Sequence, residues 1–197
     1  MMKCKGNAFT LFLFRAGPRN TRMGGKIVQK SVDKCGFLLY NISTERERRP
    51  NPMTTIYFDM DGTLADLYGV KNWLPMLLKS DPTPYRMAEP LLDMDELRAR
   101  LESLKARGYK IGIVSWLSKD GTTEYGKAVR AAKREWLDEN IGIEFDELHF
   151  VKYGTPKSRV VKDKNGILFD DELPNRLAWK GTAYNANAIL ETLARIA

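Results

Sequence analysis

Cysteine is scarce in this sequence. The 197 residues include only Cys4 and Cys35, which allow one disulfide but not the disulfide framework of a small secreted protein. We therefore expect a cytoplasmic protein, since disulfides are rare in the cytosol. Histidine is scarcer still. The single His149 lies within an apolar strand pattern, and we predict that it packs there rather than binding a ligand.

Long apolar runs are also absent. No stretch approaches the roughly 18 apolar residues that a membrane-spanning helix needs, so we expect no membrane partner. The apolar segment 8–14 follows Lys3 and Lys5 as in a secretory signal. It is short, ends at Arg15, and is followed by no convincing cleavage site.

Acidic residues are few in the first quarter of the chain. Residues 1–53 contain 11 Lys and Arg against 3 Asp and Glu, whereas residues 54–197 contain 21 against 22. The second segment therefore lacks the basic surface that extended nucleic acids require. We predict that residues 1–53 form a poorly ordered basic extension. A targeting segment and a misassigned start, with Met53 as the true beginning, are the alternatives.

From residue 54 onward, short apolar runs alternate with amphipathic segments. Strands are predicted at 55–58, 110–114, 147–151, 166–169 and near 182–184, and helices at 93–108, 123–140 and 185–196. This alternation predicts an α/β fold with a central parallel sheet, a Rossmann-like three-layer sandwich. Residues 66–92 contain Trp73 and four prolines, and they are too long for a plain loop. We predict a small helical cap there.

The helix predicted at 123–140 carries both an apolar stripe and a basic face. The apolar stripe consists of Val129, Ala132, Trp136 and Leu137. The basic residues are Lys127, Arg130, Lys133 and Arg134. We predict that these four lie on the solvated face of the helix.

Polar side chains follow the predicted strands, where ligands bind in parallel sheets. They are Asp59 and Asp61 after TIYF, Ser115 after KIGIV, Asp170 and Asp171 after GILF, and Lys157 in the connection before GILF. Because the carboxyl ends of parallel strands meet at one edge, we expect these residues to converge. Such a set of groups suits phosphoryl transfer.

Each residue type suggests a role in that chemistry. Asp59 suits a nucleophile that forms an aspartyl-phosphate. Asp61 would protonate the leaving oxygen and later activate water. Gly62 frees the backbone for the sharp turn, and Gly62, Ser115 and Lys157 would bind the phosphate.

The acids also predict a magnesium site. Carboxylate oxygens are the ligands that Mg²⁺ prefers, and we predict Asp59, Asp61 and Asp170 as its ligands. Asp171 would bind through water or orient the site.

These segments resemble the haloacid dehalogenase superfamily. DMDGT (59–63) is similar to its first motif, IGIVS (111–115) to its second, Lys157 to its third, and ILFDDE (167–172) to its fourth. The resemblance covers residues 54–197. It implies a haloacid dehalogenase-like fold with a cap insertion and a magnesium-dependent phosphatase activity.

Within the superfamily, the closest resemblance is to the 5′(3′)-deoxyribonucleotidases and their phage and bacterial relatives. FDMDGTLAD (58–66), TPKSRVV (155–161) and ILFDDELPNR (167–176) resemble their motifs. Val114-Ser115-Trp116 differs from the Thr-Ser-Pro that those enzymes often show. The resemblance implies a small phosphorylated substrate, a nucleoside monophosphate. A phosphatase of nucleic-acid 3′ ends and a catalytically silent binding protein on the same scaffold are the alternatives.

Simpler structural interpretations accompany these roles. The acids after TIYF could form an ordinary turn, the pair after GILF a helix cap, and Ser115 a cap or turn residue. Lys157 competes with three nearby lysines, Lys152, Lys162 and Lys164. Four aromatic residues could stack on a base or pack in the core and cap: Tyr68, Trp73, Tyr85 and Trp116.

Overall fold

The computed structural model describes residues 26–32, 38–44, 54–119 and 121–196. It divides the chain into two units in the sequence, with the boundary between Arg49 and Pro50. In the first unit, Lys26–Val32 and Leu38–Thr44 pair as an antiparallel hairpin, which we did not predict. Both cysteines lie outside the described residues. The prediction of a poorly ordered extension falls largely on such residues and stays a prediction.

The second unit alternates strands with helices. With the hairpin strands as β1 and β2, the strands that follow are β3 (Thr55–Phe58), β4 (Ala65–Asp66), β5 (Glu89–Pro90), β6 (Lys110–Trp116), β7 (Glu147–Val151), β8 (Ile167–Phe169) and β9 (Thr182–Tyr184). The α-helices are α1 (Trp73–Leu78), α2 (Thr83–Met87), α3 (Met94–Ala106), α4 (Thr123–Asn140), α5 (Lys157–Val160), α6 (Leu173–Ala178) and α7 (Ile189–Ile196). Two short 3₁₀ helices span Leu67–Gly69 and Ala186–Ala188.

Five of these strands form one parallel sheet in the order β7-β6-β3-β8-β9. This sheet therefore starts at its central strand, β3, extends through β6 to the edge strand β7, and then extends through β8 to the other edge strand, β9. In such open sheets, ligands bind beyond the carboxyl ends of the strands near the point where the strand order reverses. Together with the flanking helices, this confirms the predicted α/β class with a central parallel sheet, an arrangement consistent with a Rossmann-like three-layer sandwich.

The two long helices bury the faces that their periodicity predicts. In α3, Leu97, Leu101 and Leu104 are buried against the core, and Asp93 caps the first turn by accepting a hydrogen bond from the Glu96 N–H. In α4, the cap is Thr122, and all four residues of the predicted apolar stripe are buried. Within the residues that the structure describes, no helix has the length and apolarity to span a membrane.

The segment predicted as a small helical insertion contains α1 and α2. It leaves and rejoins the domain through β4 and β5, which pair with each other as a short antiparallel ribbon. Helix α2 is fixed to α4, because Tyr85 packs with Tyr125 and Val129 and the Trp136 indole donates to the Ala88 carbonyl at 2.6 Å. Helix α1, in contrast, contains no buried residue.

A polar network around Tyr57 ties the central strand to β7 and to the loop before β8. The buried Tyr57 hydroxyl donates to Glu147 Oε1 at 2.9 Å and accepts from the Asp163 N–H at 3.1 Å. Burial raises the pKa of Tyr57 to about 12, so the hydroxyl remains a donor at neutral pH. Glu147 also contacts His149 at 2.7 Å. The histidine, predicted to pack, thus binds a neighbouring carboxylate from a half-buried position.

We expect Tyr57→Phe to destabilise the fold by about 1–3 kcal/mol, because it leaves a buried carboxylate oxygen and a backbone N–H without this partner. For a domain of this size the thermal midpoint should fall by roughly 3–9 °C. Tyr184→Phe is the matched control. Its ring stacks on Phe169, and its hydroxyl makes no hydrogen bond to the described residues. Equal midpoints for the two variants would contradict the expectation.

Candidate active site

The residues predicted to converge do so at the carboxyl ends of the central strands. Asp59 follows β3, and its N–H donates to the Phe169 carbonyl of β8 at 2.9 Å. Asp170 follows β8, and its N–H donates to the Tyr184 carbonyl at 3.2 Å. Ser115 is fully buried near the end of β6. These backbone bonds hold the first two side chains on neighbouring strands.

Lys157 binds two of the converged carboxylates. Its ammonium is 2.6 Å from Asp170 Oδ2 and 3.0 Å from Asp59 Oδ2, and the side chain is only 2% exposed. Burial alone would lower the pKa of Lys157, but the two carboxylates raise it above the usual value. The lysine therefore stays charged. Its three predicted rivals, Lys152, Lys162 and Lys164, are all exposed.

Three carboxylates form a compact acidic group. One oxygen from each of Asp59, Asp170 and Asp171 lies within 4.8 Å of the others. Burial raises the pKa of Asp171 to about 6, and the charges of Asp59 and Asp170 add to the effect. Burial and the charge of Asp59 likewise raise the pKa of Asp170, although Lys157 opposes this. The three carboxyl groups thus share the positive charge of a single buried lysine.

The acidic group fits a hard divalent cation. Asp59 Oδ1 is buried, and no hydrogen-bond partner for it exists among the described residues. Such an orphaned oxygen is costly unless something else binds it. All the donor atoms are carboxylate oxygens, which Mg²⁺ prefers. The structure brings the predicted ligands Asp59 and Asp170 together and adds Asp171 directly to them.

Asp61 was predicted as a further metal ligand, but its carboxylate pairs with a lysine and is not part of the acidic group. Its Oδ2 is 2.6 Å from the ammonium of Lys133. Desolvation raises the pKa of Asp61, and Lys133 opposes this without cancelling it. The carboxylate is not among the three that could share an ion in the described part of the chain. Its predicted role in proton transfer stays compatible with this position.

The prediction for Lys133 was wrong. We expected it on the solvated face of α4, but its side chain is 0% exposed. Besides Asp61, the ammonium donates to Ser115 Oγ at 2.8 Å and to the Trp116 carbonyl at 2.9 Å. The other three basic residues of the helix, Lys127, Arg130 and Arg134, are exposed as predicted. Arg130 also donates a hydrogen bond to the Phe150 carbonyl. Lys133 is therefore part of the site.

The turn after Asp59 depends on Gly62. This residue has φ +76°, and a Cβ there would lie 2.5 Å from Asp171 Oδ2. Glycine is thus required both by the left-handed backbone and by the close approach of the acid. The next residue, Thr63, exchanges two hydrogen bonds with Asp171: its hydroxyl donates to Oδ1 at 3.2 Å and accepts from the N–H at 3.1 Å. We did not predict that role for Thr63.

Two residues of α6 support the acid pair, and we did not single out either. Asn175 donates to Asp170 Oδ1 at 3.2 Å. Arg176 donates to the carbonyls of Asp170 and Asp171 at 2.7 and 2.6 Å. Their position five residues after the paired acids, in the turn of helix that follows, was the sequence feature from which this role could have been predicted.

A cavity of about 640 Å³ opens above Asp59 and Asp61. Its wall combines residues of the insertion with those following β6. The aromatic residues lining it are Tyr68, Trp73, Tyr85, Trp116, Tyr125 and Tyr153. Four of these are the aromatic residues for which base stacking was one predicted role. The cavity is therefore lined by the carboxylates of Asp59 and Asp61 and by six aromatic side chains.

A comparison with models of known protein families finds no match to this chain, and a search of curated proteins finds no similar one.

Proposed function

We propose that this chain is a magnesium-dependent phosphomonoester hydrolase that acts through an aspartyl-phosphate on Asp59, on a haloacid dehalogenase-like fold. The observation that carries the proposal is the convergence of Lys157, Asp170 and Asp171 on Asp59, which itself lines an open cavity. A nucleophilic carboxylate needs compensating positive charge to approach a phosphate dianion. Here a buried lysine and two further carboxylates that would hold a cation flank it.

In the first step, a carboxylate oxygen of Asp59 attacks phosphorus, and the bond from phosphorus to the ester oxygen breaks. Asp61 gives its proton to that oxygen, so the product leaves as an alcohol. The raised pKa of Asp61 favours the protonated form that this transfer needs. Lys157 donates to two carboxylates, which leaves one of its three N–H groups for a phosphate oxygen.

In the second step, water attacks the phosphorus of the aspartyl-phosphate. Asp61, now a carboxylate, takes a proton from that water, and the bond between phosphorus and the Asp59 oxygen breaks. Inorganic phosphate leaves, and Asp59 returns to a carboxylate. Asp59, Asp170 and Asp171 would hold the magnesium ion, which when bound supplies positive charge that stabilises the transferring phosphoryl group.

The cavity favours a small substrate with a planar group. Its volume of about 640 Å³ lies in the range of small-molecule sites, and its aromatic walls could stack on a base. A nucleoside monophosphate, the substrate class of the 5′(3′)-deoxyribonucleotidases, fits both features. The near-neutral balance of residues 54–197 favours it over a nucleic-acid 3′ end.

The proposal predicts that activity depends on magnesium. In purified protein, EDTA should abolish phosphate release from p-nitrophenyl phosphate, and excess Mg²⁺ should restore it, because the acidic group is left uncompensated without a cation. Ca²⁺, which prefers longer bonds and more ligands, should restore less. Full activity in metal-free buffer would overturn the metal site. No activity with any cation would favour a silent binding protein.

A panel of phosphomonoesters then separates the substrate classes. It should contain 5′- and 3′-deoxynucleotides, sugar phosphates and an oligonucleotide with a 3′ phosphate. Highest kcat/KM on a mononucleotide supports the nucleotidase, and preference for the oligonucleotide supports the alternative.

A further inference from the structure

Lys133 has no hydrogen-bonding capacity left for a substrate. A lysine ammonium has three donors and no acceptor. Those of Lys133 are directed to Asp61 Oδ2 at 2.6 Å, Ser115 Oγ at 2.8 Å and the Trp116 carbonyl at 2.9 Å. All three acceptors belong to the protein. Lys133 can therefore donate a hydrogen bond to a bound phosphate only by giving up one of these acceptors.

The two buried lysines of the site thus differ in kind. Lys157 directs two of its three N–H donors to Asp59 and Asp170 and retains one for another acceptor. Lys133 retains none, and its carboxylate partner is Asp61 rather than a member of the acidic group. Its ammonium is 5.0 Å from the centroid of the Tyr85 ring, a cation–π contact that further stabilises a charge in this buried position.

The bonds of Lys133 determine how two other groups present their protons. Because Lys133 occupies Oδ2 of Asp61, the proton that Asp61 transfers must be carried by Oδ1. Because Lys133 donates to Ser115 Oγ, that oxygen acts as an acceptor toward Lys133. The hydroxyl proton of Ser115 is then left to be donated to another acceptor.

We propose that Lys133 is a positioning residue, which aims the carboxyl of Asp61 at the leaving oxygen and orients the hydroxyl of Ser115. This inference rests on the proposed phosphatase function and adds to it a residue of α4. Since Lys133 acts through Asp61, its removal should matter most where the leaving group needs a proton.

The test compares substrates with different leaving groups in Lys133→Met, whose side chain has nearly the same length without charge. The substrates are p-nitrophenyl phosphate, whose leaving group departs readily as an anion, and a simple alkyl phosphate, whose leaving group does not. The parameter is kcat/KM in saturating Mg²⁺, which reports phosphoryl transfer to the enzyme. Lys127→Met is the control, since Lys127 lies on the same helix, is exposed, and pairs only with Glu124 in the described structure.

We expect Lys133→Met to lower kcat/KM for the alkyl phosphate by about 100-fold or more, the usual contribution of a proton-transfer group. For p-nitrophenyl phosphate the loss should be under about 10-fold, from the Ser115 hydroxyl alone. In an Asp61→Asn background, the same substitution should cost the alkyl phosphate reaction little, because residues acting as one unit are not additive. Lys127→Met should match the wild type.

Equal losses on both substrates, or full additivity with Asp61→Asn, would overturn the proposal. Circular dichroism and thermal unfolding establish that the variants fold, and Lys133→Gln is a second neutral variant. If neither variant folds, Lys133 is a structural residue and the proposal fails. If instead the wild type shows no magnesium-dependent hydrolysis of either substrate, the phosphatase function itself fails.

Discussion

Replacing Asp59 with asparagine is expected to reduce phosphomonoester turnover at least about a thousandfold, as loss of a nucleophile does in other hydrolases. The amide has nearly the same shape as the carboxylate but is a poor nucleophile. It also cannot bind Lys157 as an ion pair or serve a cation as a charged ligand. Because Lys157 keeps its ion pair with Asp170 and Asp59 Oδ1 has no partner in the described structure, we expect the fold to persist.

The control for Asp59→Asn is Asp95→Asn. Asp95 lies at the start of α3 with its side chain 90% exposed, and its substitution should leave turnover unchanged. A phosphoenzyme trap makes the assignment specific: wild-type protein quenched in acid during turnover should carry one phosphoryl group on Asp59. Substantial activity in Asp59→Asn that is not due to deamidation would exclude the nucleophile. Loss of activity without a trapped phosphoryl group would assign Asp59 to metal binding alone.

Much of the site could be predicted because parallel strands align chemistry that is distant in sequence. TIYF and GILF are each followed directly by an aspartate. Parallel pairing of β3 with β8 places Phe58, the last residue of TIYF, beside Phe169, the last residue of GILF. The residues that follow must then be neighbours. Lys157 was distinguishable from its rivals by its position in the family resemblance and by Thr155-Pro156, which suggest a helix start. In the structure it begins α5 and is buried, whereas the three rivals are exposed.

The missed lysine shows where residue type misled us. Lys133 is four residues after Val129 and three before Trp136, so the helical period places it on the buried stripe of α4. We assigned it to solvent because it is charged. A buried lysine needs acceptors to offset desolvation, and two of those acceptors are Asp61 in the turn after β3 and Ser115 in β6. Only the tertiary structure shows that both acceptors contact Lys133 of α4.

The direction of the Asp61 side chain also could not be predicted from its spacing in the sequence. Two residues after a strand end, a side chain can point toward the acids or away from them, depending on the turn. Here Gly62 at φ +76° and the bonds of Thr63 to Asp171 set the turn. They leave Asp61 on the side of Lys133. The cavity wall likewise depends on how the insertion packs on α4, and no local pattern encodes that contact.

Replacing Lys157 with methionine is expected to reduce both stability and activity. Removing one partner of a buried ion pair leaves an uncompensated charge and costs about 3–5 kcal/mol. Here two carboxylates, Asp59 and Asp170, lose the same cation. In EDTA the thermal midpoint should fall by roughly 10 °C or more. In saturating Mg²⁺ turnover should still fall at least about 100-fold, because a charged donor to the phosphate is gone.

The metal site makes this prediction specific. A cation held by the acidic group compensates the same charges as Lys157, so Mg²⁺ should raise the midpoint of Lys157→Met more than that of the wild type. Asp170→Asn, added to Lys157→Met, should recover part of the stability in EDTA, because it removes one of the uncompensated charges. Lys164→Met is the control, since Lys164 is exposed in the loop before β8. A Lys157→Met protein with wild-type midpoint in EDTA would show that Lys157 does not compensate these acids. A midpoint lowered as expected but unmoved by Mg²⁺ would show that the acidic group binds no magnesium.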